Sequence, residues 1–478
     1  MYIPTIGLEI HMNVKTRTKM FCACPNNFEE NQPNINTCPI CLGHPGTLPV
    51  PNEEAIRAAI RLGLALGGTI ATHSHFDRKS YFYPDLPKGY QISQYDEPFV
   101  TNGILKDIRI KRIHLEEDAG RLLHELPGET GKDKEATYVD YNRASTPLLE
   151  LVTEPDVKNA EEAVAFAKEL QLILRYLGVS DADMEKGHMR VEANISISNK
   201  TGELGTKVEV KNINSFRAVH DAIEFELVRQ EECLKRGEAI VQETRGWNDA
   251  KHTTESQRSK ESAHDYRYFP EPDIPPIDLG EWDIETMRKE LPELPEAKRQ
   301  RFIALFGMTS EQADILVENK ESAQFFEESA SEFASQVSQP NYQLLINYFT
   351  SDVRGLMNTK NLSLTSLNIS PEHFAHLVAL VQEGKVLSRL AKNLLVQMHE
   401  TGEDPETIME KTGTRTVDNT EELSHLADEI IAKNPKAVED FKKGNANSVQ
   451  FLVGQGMAKT RGQASPDKLR EIFQNKLK

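Results

Sequence analysis

The sequence predicts an α+β N-terminal domain built on an open, mostly antiparallel sheet, followed by an all-helical middle segment and a small helical tail. Three observations carry this expectation. Apolar residues alternate with period two in several N-terminal segments. Stripes of helical period lie between those segments. A proline- and aromatic-rich block then ends the alternation, and the rest of the chain reads as helix.

The strands come first. In Thr5–Val14, Ile6, Leu8, Ile10, Met12 and Val14 face one way, and Gly7, Glu9, His11 and Asn13 face the other. Met189–Ser198 repeats the pattern, with Val191, Ala193, Ile195 and Ile197 against Arg190, Glu192, Asn194 and Ser196. In Lys207–Lys211, Val208 and Val210 oppose Lys207, Glu209 and Lys211. One buried and one wet face is the signature of an antiparallel sheet covered on a single side. Between the strands, Asn159 and Glu162 form a capping-box pair ahead of the stripe Ala163, Phe166, Leu170, Ile173 and Leu177, which ends at Gly178. A second stripe, Phe216, Val219, Ile223, Leu227 and Leu234, stops at Gly237.

The block DYRYFPEPDIPP (265–276) breaks the regular pattern, and the composition is helical from Glu285 onward. We expect domains over residues 1–290, 291–352 and 353–478, in line with a length prior of roughly three domains. No apolar run is long enough to span a membrane. The start of the chain lacks the basic and apolar regions of a signal peptide, so a cytoplasmic location is expected. The formal net charge of −18 argues against indiscriminate coating of nucleic acid. Phe441–Lys478 nevertheless holds eight Lys or Arg against two Asp or Glu, a local +6. Such an end can hold a phosphate backbone; the competing reading is a solvated lysine-rich helix.

Four of the five cysteines fall in two close pairs, Cys22-x-Cys24 and Cys38-x-x-Cys41, on turn-rich sequence. Four thiolates on two short loops suit a closed, structural zinc site. The alternative is redox-active or free thiols, although no strand–helix pattern flanks Cys38 and Cys41.

Glu9 and His11 are same-face neighbours about 7 Å apart, and a carboxylate beside an imidazole can share a hard divalent cation such as magnesium. Further acids lie in HLEEDAGR (114–121), TPLLELVTEP (146–155) and RVEANIS (190–196). If their strands neighbour the first, Glu117, Glu150 and Glu192 converge with Glu9 and His11. A wet sheet face also carries such residues without any site. Parity groups Glu116 with His114 and aims Glu117 with Ile113 and Leu115, where a carboxylate needs a cation partner or a phase-shifting bulge. The segment FDRKSYFYPDLPKGYQISQYD (76–96) crowds Lys79, Tyr81, Tyr83, Lys88, Tyr90 and Gln94 onto irregular backbone, a mixture suited to base stacking and phosphate contacts or to plain loop packing. No P-loop, dinucleotide fingerprint or nucleophile elbow is present.

Read in order, IGLEIHMNV, TKMFCACPNNF, NTCPICLGHPGTLPV, the 76–96 segment, HLEEDAG, DYNRASTPLLELVTEPD, VEVKNINSF, QETRGWN and DYRYFPEPDIPP resemble the B subunit of the bacterial glutamyl/aspartyl-tRNA amidotransferases, and FLVGQGMAKTRGQASP (451–466) resembles that family's tail. The resemblance implies a glutamine synthetase-like cradle, a helical domain and a YqeY-like tail. It implies ATP-dependent conversion of Glu-tRNA(Gln) or Asp-tRNA(Asn) through an acyl phosphate. Ammonia would come from the A-type amidase subunit of a complex that also holds a small C-type subunit. The resemblance places magnesium on His11, Glu117 and Glu150, with Glu9 and Glu192 near a second ion. The substrate or ATP contacts would be the loop residues above with Arg190 and Lys211, and the tRNA contacts Lys459 and Arg461. The family usually has Asp where this chain has Glu192, whose longer arm moves the oxygen by about one methylene. Two other readings compete: a non-catalytic zinc-containing tRNA-binding protein, which needs no acid cluster, and a free-standing ligase for a small molecule, which needs no basic tail.

Overall fold

The computed structural model describes residues 2–27, 29–30, 32–123, 136–200, 202–259, 266–413, 420–442, 447–460 and 463–477. It divides into two compact units, Met1–Pro295 and Glu296–Lys478.

The first unit is organised by a ten-stranded sheet. Its long strands are β1 (Ile3–Asn13), β2 (Ile108–Glu117), β3 (Pro147–Thr153), β4 (Met189–Ser198), β5 (Val208–Ile213), β6 (Glu243–Asn248) and β7 (Thr253–Ser259). The spatial order runs Thr69–Ile70, Val100–Thr101, β2, β3, β1, β4, β5, β6, β7. Every pairing along it is antiparallel except β5 with β6. The sheet is thus α+β and mostly antiparallel, as the alternation predicts.

Three helices cover one face: α1 (Glu53–Ala65), α2 (Ala160–Leu177) and α3 (Phe216–Lys235). Their stripes share one core with the inward residues of the strands. Ile6, Leu8 and Ile10 of β1, Ile113 and Leu115 of β2, Leu149 and Leu151 of β3, and Val191 and Ala193 of β4 pack with Ile60, Phe166, Leu170, Ile173, Val219 and Ile223. Each such side chain contributes about 1.5–3 kcal/mol on burial, so the apolar face holds the sheet down and frees the other face for charge. The capping expected for α2 is present: Asn159 Oδ1 accepts from Glu162 N at 2.8 Å. Gly178 closes the helix at φ 68°, a conformation costly for residues with a Cβ. A hairpin of Asp77–Ser80 and Tyr90–Ser93, joined by Phe269–Pro270, forms a separate three-stranded sheet.

The second unit is helical from Pro295–Phe306 onward. Tyr342–Asn347, a π-helical turn at Tyr348–Val353 and Arg354–Lys360 form one continuous run, and residue 352 lies inside it. Thr420–Lys433, Asn447–Lys459 and Pro466–Leu477 gather around a separate core of Leu423, Ala427, Ile430, Leu452, Leu469 and Phe473. Among the described residues, no helix is long and apolar enough to cross a membrane.

Candidate active site and cysteine cluster

The polar face becomes a site because of register. The ladder places Arg190, His11, Glu150 and His114 opposite one another across β4, β1, β3 and β2. The next row holds Glu192, Glu9, Val152 and Arg112, and the row on the other side holds Asn13, Leu148 and Glu116. Residues two apart on a strand share a face, so these rows crowd onto one patch. His11 Nε2 lies 3.4 Å from Glu150 Oε2 and 3.8 Å from both Glu9 Oε1 and Glu116 Oε1. His114 Nε2 reaches the same Glu150 oxygen at 3.3 Å. From β5, Lys211 Nζ bonds Glu192 at 2.6 Å and approaches Glu209 at 3.5 Å.

So many acids in one place perturb one another. Burial, then the charges of Glu150 and Glu192, lift the Glu9 carboxyl to about 7 against the pull of His11 and Lys211. Burial opposes charging His11, but its bond to Glu150 and the charges of Glu150, Glu116 and Glu192 raise its pKa to about 9. Burial would raise Glu150 too, yet His114 and His11 hold it well below the usual carboxylate range. Ligand atoms of Glu9, His11 and Glu150, of His114, Glu116 and Glu150, and of Glu9, Glu192 and Glu209 lie within 4.8 Å of one another in each set. His11 Nδ1 and His114 Nδ1 are buried without a hydrogen-bond partner among the described residues. Imidazole plus several carboxylate oxygens fits a hard divalent ion.

Glu117 does not join this patch. Strand β2 keeps its phase through Pro147↔Glu117 and Leu148↔Glu116, so Glu116 points at His11 and Glu117 points the other way. There the Glu117 carboxylate is 2.5 Å from Lys88 Nζ and accepts from Ile92 N at 2.9 Å. The ladder has no bulge at this point, so Glu116, and not the Glu117 expected from the resemblance, lies beside His11. Lys88 is committed to that pair.

The remaining loop residues divide between cleft and scaffold. Lys79, Tyr83, Arg112, His114, Glu209, Lys211, Thr244, Gln257, Tyr266 and Tyr268 line a cleft of about 580 Å³ with Glu9 and Glu150. Lys79 Nζ is 3.8 Å from Glu116 and 5.3 Å from the ring centre of Tyr266. Burial works against its charge, but Glu116, Tyr268 and Glu150 outweigh that and raise its pKa. Tyr81 donates to Gln91 at 3.3 Å, and Tyr90 lies under the Arg78 guanidinium at 4.3 Å. Gln94 is buried and spent on structure, donating to Ser74 Oγ at 2.6 Å and accepting from Leu115 N at 3.0 Å. Arg190 turns to Asp118 at 3.4 Å. Lys459 pairs with Glu429, while Arg461 lies outside the described residues. Arg112, His114, Glu209, Tyr266 and Tyr268 are not singled out by the sequence. The alternation Arg112, His114, Glu116 is the available signal for the first two.

The cysteines converge as their spacing suggests. Sγ atoms of Cys22, Cys24, Cys38 and Cys41 lie within 4.8 Å of one another. The Cys38–Cys41 separation of 3.8 Å equals the edge of a tetrahedron with metal–sulfur bonds of about 2.3 Å. Cys41 Sγ accepts from the Cys38 N–H at 3.1 Å. Its bond with Cys22 lowers its pKa to about 5, against burial and with help from Lys19; Cys41 and burial push Cys22 up. Four sulfur atoms gathered at these separations are a donor set that a divalent ion would complete.

Comparison with known proteins adds the family context. A family model described as the GatB/GatE catalytic domain matches residues 4–285, and one described as a GatB domain matches residues 324–477. The chain is 45% identical over 485 residues to the B subunit of the aspartyl/glutamyl-tRNA(Asn/Gln) amidotransferase of Thermotoga maritima, covering 100% of this chain and 99% of that relative. Proteins of the same description from Thermoanaerobacter pseudethanolicus and Persephonella marina are 45% and 44% identical, with 99% of each covered.

Proposed function

Because the chain belongs to the family of aspartyl/glutamyl-tRNA(Asn/Gln) amidotransferase B subunits, we propose that it converts Glu-tRNA(Gln), Asp-tRNA(Asn) or both to the amidated tRNA, using ATP to activate the carboxylate through an acyl phosphate. The observation that carries this reading is the convergence of Glu9, His11, Glu116 and Glu150 on one patch, with Lys79 and Lys211 on the walls of the same cleft.

The chemistry needs two anions, a carboxylate and a triphosphate, brought together. Magnesium bound to His11, Glu150 and neighbouring acids would neutralise their charge. Around it the chain's own groups have separable tasks. His114 holds Glu150 from the side opposite His11. Lys79 and Lys211 supply positive charge facing incoming phosphate, and Tyr83, Tyr266 and Tyr268 offer faces for stacking. Glu9, raised to about 7, would be drawn toward its charged form by a cation held beside it. Glu192, paired with Lys211, belongs to the acid set Glu9, Glu192 and Glu209, which suits a second ion.

The four cysteines are proposed to hold structural zinc. Relatives described as B subunits imply a multi-subunit complex. We assign its ammonia supply to an A-type amidase subunit, accompanied by a small C-type subunit, in the cytoplasm. Residues 1–290 serve as the catalytic body and 291–352 and 353–478 as helical extensions, with the tail's Lys459 and Arg461 contacting tRNA phosphates.

The test is amide formation on Glu-tRNA(Gln) by the complex, with ATP, magnesium and ammonium replacing glutamine. Product that disappears without ATP and in Glu150→Gln, with tRNA affinity kept, supports the reading. No product with tRNA binding intact would favour the non-catalytic zinc-containing alternative.

A further inference from the structure

Among the described residues, Lys79, Lys211 and Arg112 are the Lys and Arg side chains that line the cleft. Lys211 is 2.6 Å from Glu192 and Lys79 is 3.8 Å from Glu116. Arg112 pairs with Glu150 at 3.9 Å, beyond hydrogen-bond distance, as Lys79 does with Glu116. Its Nε is buried and has no hydrogen-bond partner among the described residues. Its cross-strand neighbours are Val152 on β3, which offers no side-chain acceptor, and Thr101 on the other side, to which its Nε makes no hydrogen bond. Arg112 shares its face with His114 and Glu116, so its guanidinium belongs to the catalytic patch and not to the core. A buried donor without an acceptor is destabilising. The Arg112 side chain is 26% exposed and lines the cleft, so an anion entering there would meet its guanidinium.

We propose that Arg112 is a phosphate-binding residue that grips oxygens of the phosphoryl group transferred from ATP. The proposal rests on the ATP-dependent reading above and deepens it. In the first step a carboxylate oxygen on the tRNA-borne amino acid forms a bond to the γ-phosphorus. The bond from that phosphorus to the bridging oxygen breaks, and ADP leaves with the electron pair. In the second step ammonia nitrogen bonds the acyl carbon, phosphate departs with the carbon–oxygen electron pair, and nitrogen loses a proton. Both steps carry charge on the same phosphoryl oxygens. A planar guanidinium can bond two of them in parallel, which an ammonium cannot.

The experiment compares the whole complex carrying wild-type chain, Arg112→Lys or Arg112→Ala in ATP-dependent amide formation with ammonium. Arg112→Ala is expected to lose at least about 100-fold in rate, since a cationic clamp on a transferring phosphoryl group contributes that much or more. Arg112→Lys should fall nearly as far, because its charge lacks the fork. Added guanidinium should restore part of the Arg112→Ala rate, while half-saturation by magnesium and tRNA affinity stay within about threefold of wild type. An Arg112→Lys rate within about threefold of wild type would overturn the proposal. So would an Arg112→Ala loss that guanidinium leaves untouched and that coincides with weaker magnesium activation, the mark of a residue that only supports Glu150. If the wild-type complex itself makes no ATP-dependent product, the ATP-dependent reading has failed, and this proposal fails with it.

Discussion

Replacing Glu117 by Gln separates two roles for that residue: metal ligand on the polar face, or partner of a buried lysine behind it. The side chains of Glu117 and Lys88 are 3% and 8% exposed and 2.5 Å apart. At that distance, with an effective dielectric constant of about 20, a unit pair attracts by about 6–7 kcal/mol before desolvation is counted. Desolvation consumes part of that. Removing one partner of a buried pair is measured to cost about 3–5 kcal/mol, because the other charge is left stranded. Glutamine keeps the shape and can still accept from Ile92 N, which favours the lower end. For a domain of this size each kcal/mol moves the melting temperature by about 2–4 °C, so Glu117→Gln should lower it by about 6–20 °C. The assay is thermal unfolding of the purified complex at pH 7, run beside magnesium titration of amide formation. Lys88→Met with Glu117→Gln should melt above Glu117→Gln alone, since no charge is then stranded and Ile92 N keeps an acceptor. Glu116→Gln is the control on the opposite face. Glu116 sits among other acids near His11 and only 3.8 Å from Lys79, so the variant's melting temperature should fall by less than that of Glu117→Gln while its magnesium requirement rises. If Glu117→Gln melts like wild type and needs more magnesium, the structural assignment of Glu116 and Glu117 is wrong.

Other expectations rest on single contacts. Lys19 is wholly buried, with Nζ 3.2 Å from Tyr141 O and 4.0 Å from Cys41 Sγ. Lys19→Met should hasten zinc release to a chromogenic chelator by about 10-fold, as lost outer contacts commonly do; unchanged release would make Lys19 a packing residue. His75 lies between Glu97 and Asp77, 3.1 Å from each. Burial lowers its pKa, but the bond to Glu97 and both charges prevail and raise it above 6.5. A raised folded-state pKa gives stability that is full below the unfolded value and lost as pH rises through the folded one. Urea unfolding should therefore find His75→Gln less stable than wild type at pH 5.5 by more than at pH 8.5, and a constant gap would refute the assignment. Glu226 is wholly buried on α3 and bonds Arg229 at 2.6 Å, Gln230 at 2.8 Å and Thr254 at 3.1 Å. Glu226→Ala should cost about 3–5 kcal/mol in denaturant unfolding, with the amide-forming rate of the folded fraction unchanged; a selective loss of rate would point to a role in the cleft.

Much of the fold was legible because water leaves a mark on sequence. Strands β1 and β4 announce themselves by alternation, since one face packs on α1, α2 and α3 while the other stays polar. Helix α2 announces itself by Asn159, its stripe and Gly178. The convergence of the cysteines was legible for a different reason: they sit on two short, nearby loops, so spacing alone nearly defines the cluster. The spent role of Gln94 was not legible. Glutamine in an aromatic, basic loop reads as a ligand contact, and only the fold reveals that Ser74 and Leu115 have claimed both ends of its amide. Lys459 reads as an exposed cation, and its pairing with Glu429 depends on how two helices meet.

The sequence by itself determined which side chains face water on each strand, because a side-chain period of two is a local property of the backbone. It therefore placed Glu9 beside His11 and, by parity, Glu116 beside His114, while the resemblance named Glu117 as the ligand. Only the tertiary structure decided which strands are neighbours and in what register. That decision brings Glu150 opposite both His11 and His114, from positions distant in the chain. It also delivers Lys88 to Glu117 and sets Arg112 across from Val152, where its Nε finds no acceptor among the described residues. Register depends on how three helices and the inner faces of several strands fill one core together, a cooperative packing that no single segment encodes.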